Sequence, residues 1–131
     1  MAKAAGTLAY LSRELDILLK VRELCLKEQE FLRRDDLTGI KETVKAQEEL
    51  LKELATLEKE RRLWEEAREA KAQEEGVLEL RQKMEACARD IKEINETNML
   101  LIRQSLAYAK KIMGLLSRYL NGRPAILDEQ R

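Results

Sequence analysis

Ile91–Leu120 reads IKEINETNMLLIRQSLAYAKKIMGLLSRYL, and the spacing of its apolar residues decides the fold. Counting sevens from Val77 gives one seam: Val77, Leu80, Met84, Cys87, Ile91, Ile94, Asn98, Leu101, Ser105, Tyr108, Ile112, Leu115 and Tyr119. Alternating steps of three and four mark a helix packed against other helices. Through Ile94 the neighbouring positions are mostly charged (Arg81, Glu85, Lys92), so that half needs one line of partners. From Met99 a second stripe runs beside the first, made of Met99, Ile102, Leu106, Ala109, Met113, Leu116 and Leu120. The two stripes merge into an apolar arc of about 200°, against the ~100° that a surface helix usually turns to its core. One bundle core would not consume it. The polar side carries Arg103, Lys110, Lys111 and Arg118, with Arg123 beyond, and no Asp or Glu lies between Glu96 and Asp128. A wide, Met-containing, basic-backed helix suits an adaptable surface kept for a partner. On pattern alone, a self-buried or dimer seam accounts for it equally well.

Upstream, Thr7 is placed to cap a first helix with the seam Leu8, Leu11, Leu15, Leu18, Arg22, Cys25, Gln29 and Leu32. A flank of Tyr10, Ile17, Leu24 and Phe31 gives that helix two adjacent stripes, hence two helical neighbours. Arg34, Asp35 and Asp36 supply a polar turn, with Asp36 as N-cap of the next helix. That second helix carries Leu37, Ile40, Val44, Leu51, Leu54, Leu57 and Trp64, its seam interrupted by Gln47 and Arg61. Its packed part is expected to end at Trp64. Glu65–Glu75 offers only Ala67, Ala70 and Ala72 among charges and reads as a solvated helical extension or a linker, with the break at Gly76. The third helix stops at Asn121-Gly122, and Pro124 prevents continuation.

The expectation is an all-α protein: three long antiparallel helices (about 7–33, 37–70 and 77–120) in a coiled-coil-like bundle over 1–122, then a disordered tail at 123–131. Folded up-down-up, the third helix outruns its partners by roughly 10 to 16 residues, or about 15 to 24 Å. The overhang falls where the apolar arc is widest, which tilts the reading toward a partner surface, because so large a patch is rarely left wet. That partner can still be a second copy of the chain.

Composition narrows the function classes. With 38% charged residues and Lys plus Arg equal to Asp plus Glu at 25 each, no global field favours nucleic acid. Charges interrupt every apolar run well short of ~18 residues and the N-terminus lacks a signal-type apolar region, so a cytoplasmic protein without stable membrane insertion is expected. Cys25 and Cys87 fall on seams and read as buried free thiols. The chain has no His, no Gly-rich phosphate loop and no Cys cluster, so neither catalysis nor a cofactor or metal is expected.

The run Asn95–Tyr108, NETNMLLIRQSLAY, resembles the signature of FlgN-type flagellar export chaperones: an Asn, a second Asn three on, a Leu pair, then Ser-Leu-x-Tyr. Asn95, Asn98, Leu100, Leu101, Ser105, Leu106 and Tyr108 match it in place. A weaker likeness extends from Leu8 to Tyr119, including Asp35-Asp36 before a new helix. The charged segment Glu65–Gly76 and the tail after Gly122 depart from the family pattern. The resemblance implies a cytoplasmic type III export chaperone that binds the hook-filament junction proteins FlgK and FlgL, prevents their premature assembly and delivers them to the export apparatus. It also implies that recognition lies in the C-terminal helical region. On that reading Met99, Ile102, Leu106, Ala109, Ile112, Met113, Leu116, Tyr119 and Leu120 contact the C-terminal segments of the cargo, while Asn95 and Asn98 are mainly structural. The alternative is a coiled-coil scaffolding subunit that dimerises through the same helix.

Overall fold

The computed structural model describes residues 6–68 and 76–121. They form three helices, α1 (Gly6–Arg33), α2 (Leu37–Arg68) and α3 (Val77–Asn121), of 28, 32 and 45 residues. The expected end of the second helix at 69–70, the linker-or-helix question over 69–75 and the tail at 123–131 lie outside the described residues.

Cross-helix pairs give the directions. Between α1 and α2 the pairs Thr7–Glu65, Glu14–Arg61 and Glu28–Gln47 close in sequence from 58 to 47 to 19 residues apart, as antiparallel helices require. Between α1 and α3 the pairs Arg22–Asp90, Cys25–Asn95 and Gln29–Asn98 stay 68 to 70 apart, so these two helices run parallel. The chain goes up, down and up, as expected. The antiparallel bundle takes a particular form, however: α1 is the central helix, α2 and α3 both pack on it, and α2 and α3 do not pack on each other among the described residues.

Two neighbours explain the residues α1 buries. Ile17, Val21 and Cys25 form the core with Leu57 of α2, and Tyr10, Leu50, Leu54, Ile91 and Ile94 pack around them. Polar layers bound this apolar middle. Near the N-terminal end of α1, Arg61 Nε donates to Glu14 Oε2 at 2.8 Å and Nη1 reaches Glu65 Oε1 at 3.4 Å, while the Thr7 hydroxyl donates to Glu65 Oε2 at 2.8 Å. Thr7 therefore lies inside α1 with its hydroxyl engaged across the bundle, and packing on α2 reaches one residue beyond Trp64. Near the C-terminal end of α1, Glu28 Oε1 accepts from Gln47 Nε2 of α2 at 3.0 Å and Asn98 Nδ2 of α3 at 3.5 Å.

The α1–α2 turn is built by the residues that the sequence singles out. Asp35 has φ 55°, Asp36 N–H donates to Phe31 C=O at 2.9 Å, and Asp35 N–H donates to Leu32 C=O at 3.3 Å. This is a Schellman stop with Asp where Gly is usual. Asp36 then caps α2, its Oδ1 accepting from Gly39 N–H at 3.0 Å. At the other end Gly76, φ 88°, makes the break before α3, and its carbonyl accepts from Leu80 N–H at 3.0 Å.

Candidate partner-docking surface

The seam of α3 changes character along its length. Val77 and Cys87 are buried, Leu80, Met84, Ile91, Ile94 and Leu101 are half-buried, and Asn98 is only 2% exposed. Asn98 Nδ2 donates to Cys25 C=O at 3.1 Å, and its Oδ1 accepts from Gln29 Nε2 at 3.2 Å. A hydrophobic residue at this point could satisfy neither group, so Asn98 fixes how α3 is set along α1. Asn95 is exposed, and its Oδ1 lies 3.6 Å from the Cys25 thiol that donates to it.

Past Leu101 the same seam loses its partner, because α1 stops at Arg33. Leu101, Gln104, Ser105 and Tyr108 line a cleft of about 370 Å³ with Leu32, Arg33 and Asp35, at the level where the bundle ends. Farther on, Ile112 is half-buried, while Leu115 and Tyr119 stand exposed. On the second stripe Ile102 is half-buried, and Met99, Leu106, Ala109, Met113, Leu116 and Leu120 are exposed, Leu120 at 83%. Residues 109–121, about 20 Å of helix at 1.5 Å per residue, extend past the cleft. The nine positions expected to contact cargo, with Leu115, thus share one continuous helical surface. The signature residues divide by face: Asn98 and Leu101 turn to α1, Ser105 and Tyr108 line the cleft, Leu106 joins the apolar arc, and Leu100 is exposed on the polar back.

Electrostatics follow the same division. The overhang is lined by exposed Arg103, Lys110, Lys111 and Arg118 and has no carboxylate from Thr97 to Asn121. In the bundle, burial pushes the Cys25 thiol up to about 11, with nearby Glu28 adding to the effect. Burial also raises Cys87, opposed by Arg22 and helped by Asp90. Both cysteines are free thiols and buried, as their seam positions imply. Burial alone would lower Arg61, but its hydrogen bond and charge contact with Glu14, with Glu65 and Glu58 adding, outweigh that and hold it up.

Sequence reasoning misses the buried acids. Glu14 and Glu28 are 2% and 7% exposed, although their charge reads as surface. The signal lay on the opposite helix, since Gln47 and Arg61, which interrupt the seam of α2, are the side chains that satisfy them. Among the described residues no three His, Cys, Asp or Glu side chains converge as a metal site, and no helix is long and apolar enough to cross a membrane.

No curated protein and no solved structure matches the chain. A family model described as FlgN protein matches residues 1–125, nearly the whole length.

Proposed function

The chain belongs to the FlgN family of flagellar export chaperones, and from that premise we propose that it binds hook-filament junction proteins of the FlgK and FlgL type in the cytoplasm. The α3 overhang clamps their C-terminal segments, prevents premature assembly and hands the cargo to the type III export apparatus. The observation that carries this reading is the apolar arc that continues past the end of α1 with Met113, Leu116, Tyr119 and Leu120 exposed. A surface of this kind is costly to leave in water and suits an amphipathic segment laid along it. Cargo that is disordered beforehand spends part of the contact energy on ordering, so a few large anchors dominate affinity. FlgN proteins are chaperones rather than enzymes.

Calorimetry of a FlgK- or FlgL-type C-terminal segment against Ile112→Glu, Leu116→Glu and Leu120→Glu, paired with thermal melts, tests the reading. Each variant is expected to lose about 1–2 kcal/mol of binding or more, the scale of one buried aliphatic side chain, with little change in melting. Normal binding by variants that unfold would make the arc part of a core and favour the scaffolding alternative.

A further inference from the structure

The open seam is the continuation of the seam that α1 occupies. Ile91, Ile94, Asn98 and Leu101 meet α1, Ser105 and Tyr108 share a cleft with its last residues, Leu32 and Arg33, and Ile112 and Leu115 lie beyond its end. The bundle therefore forms a step on the apolar side of α3, about one helix diameter (10–12 Å) high. A flat bilayer laid against the arc would run into the α1–α2 turn. A single helix set end to end with α1 fits the step, and the seam from Ser105 to Leu120 has room for about four turns.

Charge decides which helix. At 100° per residue, Lys111 and Arg118 border one edge of the arc and Arg103 and Lys110 border the other, all four exposed. A second copy docked through the same overhang would bring the same four cations against these four, with no carboxylate between Thr97 and Asn121 to relieve them. We propose that the overhang takes a single amphipathic helix of about four turns that continues the line of α1 and flanks its apolar stripe with Asp and Glu. This rests on the reading of the overhang as the cargo surface and adds the chemistry by which cargo is selected.

The probes are two designed peptides of about 18 residues with one heptad Leu stripe, one flanked by Glu and the other by Lys. They are titrated into the full chain at ~0.02 M and ~0.5 M salt, where the screening length falls from about 20 Å to under 5 Å. The Glu-flanked peptide is expected to bind at least about tenfold tighter at low salt, with the gap shrinking at high salt. In the Arg103→Glu/Lys110→Glu/Lys111→Glu/Arg118→Glu variant, which reverses both edges at exposed positions past Leu101, the preference is expected to invert while helicity stays constant. Equal affinities and no inversion, with the junction-protein segment still weakened by Leu116→Glu, would overturn the acidic-flank proposal and leave the chaperone reading standing. No binding of peptide or segment, with a dimer that Leu116→Glu dissociates, would overturn both and identify a second copy as the occupant. Leu116-dependent binding to phosphatidylglycerol vesicles without peptide binding would overturn it in favour of a membrane.

Discussion

At the scale of single residues, the core depends on polar side chains placed where only their partners make burial tolerable. The Glu14–Arg61 pair, with side chains 3% and 9% exposed, leaves an uncompensated charge when either member is lost. Arg61→Met alone should therefore destabilise by about 3–5 kcal/mol, whereas the double variant Glu14→Leu/Arg61→Met should come close to wild type or exceed it. Urea titration of the three proteins checks this, and additive losses would contradict it. Asn98→Leu should cost about 1–3 kcal/mol despite gaining apolar surface, since Glu28 and Gln29 lose a partner in a buried layer. Cys25 adds a pH dependence. Its folded-state thiol is raised from 9.0 to about 11, so the unfolded chain gives up that proton first, and stability is full below about pH 9 and declines as pH rises toward 11. The comparison with Cys25→Ala isolates this slope.

Elements are set by their ends and by what they meet. Asp35 holds φ 55° without the freedom of glycine, so Asp35→Gly should stabilise the turn by about 0.5–1 kcal/mol. Gly39→Ala should do the opposite, because a Cβ there would sit 2.5 Å from the Phe31 ring, which also carries the Arg34 guanidinium at 5.3 Å. Thermal melts of both variants read the two signs. The elements were largely legible in the sequence: Asp36 as a cap, Gly76 as a break, and the α3 seam through Leu101 all follow from local chemistry and heptad spacing. The centre of the buried face of α1 was not, because Glu14 and Glu28 become core-compatible only through Arg61, Gln47 and Asn98 on other helices. Periodicity also cannot say which apolar positions lack a partner. The comparison of helix lengths supplies that, setting the C-terminal end of α3 beyond its neighbours, and Leu106 and Leu116 are exposed.

For the whole molecule, the arrangement is a central helix with two neighbours, one of which continues beyond it. The α2 and α3 helices are joined through α1 and not directly among the described residues, so Glu28, which accepts from both Gln47 and Asn98, links all three. On the proposed function, stability and binding are separated along α3: the part up to Leu101 packs on α1, and the part beyond it is the proposed partner surface. Hydrogen exchange of the full chain, with and without a FlgK- or FlgL-type C-terminal segment, tests that separation most directly. Amides of 105–121 are expected to exchange fast in the free chain and to slow strongly on binding, while those of α1 between Leu11 and Leu32 stay protected in both states. Strong protection of 105–121 in the free chain, or a binding-induced change confined to α1 and α2, would contradict it.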